Sequence, residues 1–340
     1  METLRYCATR VGLTATLLVV LVSVSCSSTP TTPTPPPPPP PPVANPPSIS
    51  CVEGISRATI NAGGMTINFD NPSTTDGQGT VSVQCTPESG TTFPIGTTEV
   101  SCTATDTLNR TASCSFNVAI SKLPTLSKTR FLAFGDSITA GEVTVPLGGS
   151  LIGGAGTITR QVVVPTASYP SVLLNTLRGR YAAQASSMEV FNYGFGGEKV
   201  VNTRARFFSA LNATLPEVLL LLEGANDIPL GEDGAASSAA QEISVWVAEA
   251  KARGIRVFLA TPVPGKPGSK QIQPILLVDY ANRMRRIADV QGVTLVDLYN
   301  LMLPDANRYI GVDGLHPNEA GYARIADLFF QAIQGALEVR

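Results

Sequence analysis

Histidine is almost absent from this sequence, because His316 is the only one among 340 residues. Any chemistry that needs an imidazole must therefore use His316. Charged residues are also scarce, at 15% of the chain, and 24 Lys and Arg are balanced by 26 Asp and Glu without a basic block. This balance predicts no nucleic-acid partner.

The N-terminus lacks an apolar run long enough for a comfortable membrane span. The stretch from Val11 to Val24 follows Arg5 and Arg10, which is typical of an export signal over residues 1–26. Its end, Ser23-Val-Ser-Cys26, resembles a bacterial lipoprotein cleavage site, although Ser23 stands where that motif usually has Leu. The resemblance implies lipidation of Cys26 and attachment to a cell-envelope membrane. The alternative is an ordinary secretory signal that is cut nearby.

Residues 27–48 form a proline-rich linker with eight consecutive prolines, Pro35 to Pro42. Proline fixes φ and lacks an N–H donor, so this run predicts an extended polyproline II rod. At ~3.1 Å per residue, roughly twenty residues would reach on the order of 60 Å. The linker is interpreted as a stalk behind the membrane anchor, and a PxxP ligand for a partner domain is the alternative.

Residues 49–122 are rich in Thr, Ser, Val and Gly, and short runs alternate between apolar and polar residues. This alternation predicts a small β-sandwich. The clearest runs are Val81–Cys85, Val100–Ala104 and Cys114–Val118. Four of the six cysteines lie here, at positions 51, 85, 102 and 114, and four cysteines allow three pairings.

This region resembles the hyalin-repeat (HYR) module, an immunoglobulin-like domain. The resemblance is carried by Cys85-Thr-Pro-Glu-Ser-Gly, Phe93-Pro-Ile-Gly-Thr-Thr-Glu-Val-Ser-Cys102 and Ala112-Ser-Cys-Ser-Phe116. It implies disulfides Cys51–Cys114 and Cys85–Cys102, which agree with export because disulfides persist in oxidising compartments. It also implies a role in adhesion or spacing, and a folded spacer is an equally good interpretation.

Residues 128–340 alternate strand-like and helix-like stretches, which predicts a parallel sheet covered on both faces. The expected strands are Arg130–Phe134, Met188–Tyr193, Val218–Leu222, Arg256–Thr261 and Val293–Leu298. The expected helices are Tyr169–Ala182, Val201–Leu211, Ala235–Ala252, Ile272–Val290 and Glu319–Val339.

The first of these strands ends in Gly135-Asp136-Ser137, which places a hydroxyl at the carboxyl edge of the sheet, where ligands bind in open α/β folds. Ser137 is the candidate nucleophile. A serine nucleophile needs a base, a group that orients the base, and donors for the oxyanion. The base can only be His316, and Asp313 lies three residues before it, close enough in a tight loop to reach the imidazole.

Candidate oxyanion donors follow two other strands. One segment, Asn192-Tyr-Gly-Phe-Gly-Gly-Glu198, is rich in glycine, whose backbone N–H approaches ligands closely. The other, Glu223-Gly-Ala-Asn-Asp227, offers the side-chain amide of Asn226. Each segment alone is equally typical of a turn at the end of a strand.

Together these motifs, in this order, resemble the GDSL or SGNH-hydrolase superfamily of esterases and lipases over residues 128–340. The resemblance implies a flavodoxin-like three-layer α/β/α sandwich. It implies Ser137 as nucleophile, Asp313 and His316 as the rest of the triad, and an oxyanion hole formed by Ser137, Gly197 and Asn226. Gly197 is the best match to the family's oxyanion-hole glycine, and Gly194 and Gly196 are the alternatives at nearby positions. No metal or cofactor is required, and Asp136 is assigned a structural role.

Two further features of this region bear on function. A G-x-S-x-G elbow is missing, because Ser150 follows Gly148 but Ile152 replaces the second glycine, which argues against an ordinary α/β-hydrolase. Residues 142–167 depart from the family pattern and are interpreted either as a wall of the substrate pocket or as a surface hairpin without substrate contact.

The leading hypothesis is an exported serine esterase that acts on acylated carbohydrates or on lipid esters such as lysophospholipids. The alternatives are a surface adhesion or glycan-binding protein with an idle hydrolase fold, and a transacylase that uses the same triad. The oligomeric state is left open.

Overall fold

The computed structural model describes residues 44–150, 157–228 and 234–339. The predicted signal, Cys26 and most of the proline-rich linker lie outside the described residues, as do residues 151–156 of the segment 142–167. Within the described ranges, no helix combines the length and the apolar character that crossing a membrane requires.

The N-terminal module is all β. Its strands are β1 (Ser48–Ser50), β2 (Ile55–Thr59), β3 (Met65–Ile67), β4 (Ser73–Thr75), β5 (Ser82–Thr86), β6 (Thr91–Phe93), β7 (Gly96–Thr105) and β8 (Thr111–Lys122). Two of the alternating runs expected from the sequence lie within β7 and β8, and all but the first residue of the third lies within β5. Four of them form a sheet in the order β2-β8-β7-β5, and β1 pairs with β4 and β3 with β6.

Alternation along the long strands builds the small core of this module. In β7, the side chains of Val100, Cys102 and Ala104 are buried while those between them are more exposed, as expected where one face of a strand meets a core. Two disulfides, Cys51–Cys114 and Cys85–Cys102, link strands β7 and β8 to their surroundings. These are the pairs that the HYR resemblance implies.

The remaining strands in the described residues are β9 (Thr125–Leu126), β10 (Arg130–Gly135), β11 (Glu142–Ser150), β12 (Thr157–Val163), β13 (Glu189–Gly194), β14 (Val218–Leu222), β15 (Arg256–Ala260), β16 (Thr294–Val296) and β17 (Glu338–Val339). The second part of the chain is built on a five-stranded parallel sheet in the order β13-β10-β14-β15-β16. The sheet uses the strand order 2-1-3-4-5 of flavodoxin-like folds, so the predicted α/β/α architecture is confirmed.

Helices cover both faces of this sheet, so the central strand β14 is buried along its whole length. The helices are α1 (Ser137–Ala140), α2 (Tyr169–Arg180), α3 (Arg204–Thr214), α4 (Ala235–Ala252), α5 (Pro274–Gln291), α6 (Leu298–Met302), α7 (Ala306–Tyr309) and α8 (Glu319–Leu337). Helices α2 and α8 pack together through stacked Tyr169 and Phe329. Helices α3 and α4 pack together through stacked Phe207 and Trp246, whose rings also meet Phe134 edge-on.

Four of the five expected helices differ in their bounds by one to three residues at an end, and two of these differences have an identifiable reason. Helix α3 begins at Arg204 rather than Val201, because Val200–Asn202 forms a 3-10 turn. Helix α8 ends at Leu337, because the next two residues pair with Thr125–Leu126 as a short antiparallel ladder. The end of the chain is thereby fastened to the segment that joins the two parts.

Candidate active site

Ser137 begins helix α1, immediately after β10 ends at Gly135. Asp136 is the N-cap of α1: its carboxylate accepts hydrogen bonds from the Ile138 N–H at 2.9 Å and from the Ala225 N–H at 3.2 Å. Burial raises the pKa of Asp136 to about 6, although both hydrogen bonds oppose the rise. Asp136 therefore fastens the loop that carries Ser137 to the segment that follows β14.

The loop before α8 brings Asp313 and His316 together. One oxygen of the Asp313 carboxylate accepts from the backbone N–H groups of Leu315 and His316, both at 3.0 Å. The other oxygen lies 2.6 Å from His316 Nδ1. Gly314 between them has φ +85°, and a Cβ there would overlap the Lys266 carbonyl oxygen, so this tight turn requires glycine.

His316 Nε2 lies 2.9 Å from Ser137 Oγ, which completes a continuous chain from Asp313 to the serine hydroxyl. All three residues are buried, with 1 to 4% of their surfaces exposed. Burial raises the pKa of Asp313, but hydrogen bonds from His316, Thr144 and Leu315 outweigh it and hold that pKa well below its ordinary value. An ionised Asp313 only accepts hydrogen bonds, so Nδ1 carries the proton and Nε2 is free to accept from Ser137.

The glycine-rich segment after β13 and the segment after β14 meet beside Ser137. The Asn226 side-chain amide donates to the Glu198 carbonyl oxygen at 2.9 Å, which places it next to Gly197. An amide nitrogen has two hydrogens, so one bond to Glu198 leaves a second donor. Gly197 is exposed with φ +78°, whereas the Gly194 N–H is bonded to the Asn192 side chain at 3.0 Å. This difference favours Gly197 over Gly194 as a backbone donor.

Arg206, on helix α3, contacts both the end of β10 and the glycine-rich segment. It donates to the carbonyl oxygens of Tyr193 at 2.6 Å and Gly135 at 3.0 Å, and it pairs with the Glu198 carboxylate. Its guanidinium also lies 4.1 Å from the Phe134 ring centroid. One partly buried cation therefore joins the ends of β10 and β13 to the glycine-rich segment.

Three side chains from the described residues of the segment 142–167 reach the triad, and none of them was predicted from the sequence. Thr144 Oγ1 donates to Asp313 at 2.5 Å, and the Gln161 amide nitrogen lies 3.2 Å from both ring nitrogens of His316. The Glu142 carboxylate lies 3.9 Å from His316 Nε2. The expectation of a surface hairpin is therefore incomplete, because this hairpin contacts the triad directly. The sequence Glu142-Val-Thr-Val145 alternates between polar and apolar residues, and this alternation indicates that Glu142 and Thr144 share one face of the strand.

The arrangement suits proton transfer from a serine hydroxyl. Nε2 is placed to take the proton from Ser137, and the carboxylate of Asp313 faces the imidazolium that would result. Among the described residues, no group of three or more His, Cys, Asp or Glu side chains is placed to hold a metal ion.

Two family models match this chain, one over the hydrolase part and one over the N-terminal module. The model of the GDSL-like lipase/acylhydrolase family matches residues 133–324, more than half of the chain. The chain belongs to the GDSL-like lipase/acylhydrolase family. The HYR domain model matches residues 44–120. The chain thus combines a GDSL-type hydrolase domain with an HYR module.

The relatives of this GDSL-type hydrolase include two esterases. It is 32% identical over 88 residues to an acetylxylan esterase of Xylanibacter ruminicola, covering 26% of this chain and 18% of the relative. It is 23% identical over 175 residues to a multidomain esterase of Ruminococcus flavefaciens, covering 46% and 22%. The match therefore spans about a fifth of the length of each curated relative.

Solved structures similar to this GDSL-type hydrolase align over nearly their whole length. A lipase/acylhydrolase from Enterococcus faecalis is 21% identical with a TM-score of 0.49, covering 62% of this chain and 97% of that one. The acetyl xylan esterase AlAXEase is 22% identical with a TM-score of 0.46, covering 59% and 98%.

Proposed function

We propose that this GDSL-type esterase is an exported enzyme that hydrolyses acyl esters of carbohydrates through Ser137, His316 and Asp313. The observation that carries the proposal is the unbroken chain of hydrogen-bond contacts from Asp313 through His316 to Ser137 Oγ, at 2.6 and 2.9 Å. Ser137 attacks the ester carbonyl while His316 takes its proton. His316 then protonates the leaving alcohol, and water hydrolyses the acyl-enzyme.

The oxyanion of the tetrahedral intermediate would be held by the backbone N–H groups of Ser137 and Gly197 and by the Asn226 amide. Support comes from the contact between Asn226 and the Glu198 carbonyl, which fixes that amide beside Gly197. Fixed donors stabilise the developing charge without reorganising during the reaction.

Carbohydrate esters are proposed as substrates because one relative bears the name acetylxylan esterase. Export is supported by the two disulfides of the N-terminal module, which persist in oxidising compartments. We propose further that lipidated Cys26 and the linker 27–48 hold the module 49–122 and the hydrolase domain 128–340 away from a membrane.

A panel of esters graded by acyl length tests the substrate class. Acetylated xylo-oligosaccharides and 4-nitrophenyl acetate are expected to be cleaved, with acetate released, and activity is expected to fall steeply for longer acyl chains. Activity that rises toward long chains would favour lipid esters instead. Transfer of acetyl to an added alcohol rather than to water would identify a transacylase, and failure to react with a fluorophosphonate probe would favour an idle hydrolase fold.

Replacing Asn226 by alanine tests the oxyanion hole. The loss of one such donor is expected to lower kcat by ~10²–10³-fold, because the side-chain amide acts on charge that develops during the reaction. The measurement is kcat and KM on 4-nitrophenyl acetate. The same substitution at exposed Asn307 on α7 is the matched control, and it should leave both constants unchanged. Wild-type kcat in Asn226→Ala would remove this side chain from the oxyanion hole.

A further inference from the structure

The hairpin of β11 and β12 has two chemically different faces. Val143 is buried in the hydrophobic core of the hydrolase domain, and Val145 and Val162 pack against that core. Thr144 lies between Val143 and Val145, and Gln161 directly precedes Val162. Thr144 and Gln161 are paired in register, so their side chains share the face opposite to the valines. That face meets the triad. The apolar face holds the hairpin in place, and the polar face is presented to Asp313 and His316.

The hairpin is fixed at its base by further contacts. Tyr322 on α8 donates its hydroxyl to the Glu142 carbonyl oxygen at 2.5 Å, and the Val164 N–H donates to the Gly141 carbonyl oxygen at 3.0 Å. Because Gly141 follows helix α1, the hairpin is joined both to the helix that carries Ser137 and to the helix that follows His316.

Both in-plane positions of the imidazole are occupied, Nδ1 by Asp313 and Nε2 by Ser137. The Gln161 amide nitrogen lies 3.2 Å from both ring nitrogens, so it contacts the imidazole beside these two partners. An amide at that position limits rotation and tilting of the imidazole, but it takes neither nitrogen from its partner.

Thr144 makes the most direct contact, because its hydroxyl shares one Asp313 oxygen with His316 Nδ1. Asp313 is a charged acceptor, and hydrogen bonds to charged acceptors are shorter and stronger than neutral ones. The backbone N–H groups of Leu315 and His316 hold only the other oxygen. Without Thr144, the oxygen that faces the imidazole would have His316 as its only hydrogen-bond donor in the described part of the chain.

We infer that Thr144 is a positioning residue of this esterase, a fourth member of the chain that runs from Ser137 through His316 and Asp313. It orients the carboxylate and takes part of the negative charge that would otherwise act on the imidazole alone. This inference rests on the proposed function, since it assumes that His316 and Asp313 act on Ser137.

The test compares Thr144→Val with Thr144→Ser. Valine keeps the shape and removes the donor, so kcat on 4-nitrophenyl acetate is expected to fall on the order of tenfold with KM unchanged, since displacing reacting groups by about 1 Å can cost 10²-fold. Serine restores the hydroxyl and should restore kcat. Thr159→Val is the matched control, because Thr159 lies on the same hairpin and its hydroxyl forms no hydrogen bond among the described residues.

The pH profile separates positioning from general loss of structure. In Thr144→Val the Asp313 oxygen loses one hydrogen-bond donor, so its negative charge stabilises the protonated imidazole more strongly. The acidic limb of the pH profile of kcat/KM should therefore move to higher pH. Among the described residues, the imidazole faces the carboxylates of Asp313 at 2.6 Å and Glu142 at 3.9 Å and interacts electrostatically with that of Asp136, and all three are unchanged in the variant. Thr144→Ala provides the same measurement if the valine variant does not fold.

The results expected for positioning are a lower kcat, a shifted acidic limb and rescue by serine. A folded Thr144→Val or Thr144→Ala variant with wild-type kcat and an unmoved limb would overturn the inference. Ser137→Ala, measured in parallel, keeps the two hypotheses apart: an active Ser137→Ala variant refutes the proposed function, whereas an inactive one beside an unaffected Thr144→Val refutes only the role of Thr144.

Discussion

Ser137→Ala is expected to lose at least roughly 10⁴-fold in kcat on 4-nitrophenyl acetate and all reaction with a fluorophosphonate probe. The reason is that, among the residues that the structure describes, the Ser137 hydroxyl is the one nucleophilic group within hydrogen-bond distance of His316 Nε2, at 2.9 Å. An enzyme that keeps its oxyanion hole but lacks its nucleophile still hydrolyses substrate faster than the uncatalysed reaction in water. A small residual rate is therefore consistent with the mechanism. Initial rates and covalent labelling measured by mass spectrometry provide the two readouts.

The control for this prediction is the same substitution at Ser238, which is exposed on helix α4 and should leave both readouts unchanged. Thermal unfolding should be similar for both variants, because alanine fits the space that serine occupies. If Ser137→Ala retains wild-type rates and is still labelled, another residue is the nucleophile.

The sheet was predictable because its strands are short apolar runs bounded by turn residues. Val218-Leu-Leu-Leu-Leu222 is apolar on both faces, as only a central strand covered by helices can be, and it was placed with its observed bounds. The order of the strands was not predicted, since apolar runs carry no information about their neighbours in the sheet, and the family resemblance implied only a flavodoxin-like sandwich.

The Asp313–His316 pair was predictable for a local reason. A carboxylate three residues before an imidazole reaches it whenever the loop is tight, and the glycine at position 314 permits that turn. The meeting with Ser137, 179 residues away, depends on the whole sheet, which brings the carboxyl ends of its strands to one edge.

The role of the hairpin was not predictable in this way. Thr144 and Gln161 are ordinary strand residues in sequence, and their proximity to Asp313 and His316 is set by how the apolar face of the hairpin packs. Arg206 is a similar case, because a helical arginine is usually solvated, whereas this one joins two strand ends and a carboxylate. Contacts that depend on packing direction leave no periodic signal.

Asp313→Asn is expected to lower kcat by roughly 10⁴-fold while the protein remains folded. The asparagine oxygen can still accept from the N–H groups of Leu315 and His316, so the loop keeps its shape. Its amide nitrogen would face Nδ1 as a donor, which moves the imidazole proton to Nε2. Ser137 then faces an N–H instead of a proton acceptor, and the charge that stabilises the imidazolium is also lost. Steady-state kinetics on 4-nitrophenyl acetate measure the effect.

Stability against pH provides an independent check on the same variant. The pKa of Asp313 in the folded protein lies below its ordinary value of 3.8, so ionisation of Asp313 stabilises the native state above that pH. This contribution is lost as pH falls from 3.8 toward the lower pKa of the folded state. Wild type should therefore unfold at a higher temperature than Asp313→Asn at pH 7, and the difference should shrink at pH 3.

Asp279→Asn, an exposed change of the same kind on helix α5, should alter kcat little at any pH. Its carboxylate is half exposed and pairs with Arg283 at the surface, so its contribution to stability is expected to be small. Wild-type kcat in Asp313→Asn would mean that the buried carboxylate only shapes the loop. A stability difference that stayed constant between pH 7 and pH 3 would show that the charge of Asp313 does not stabilise the fold.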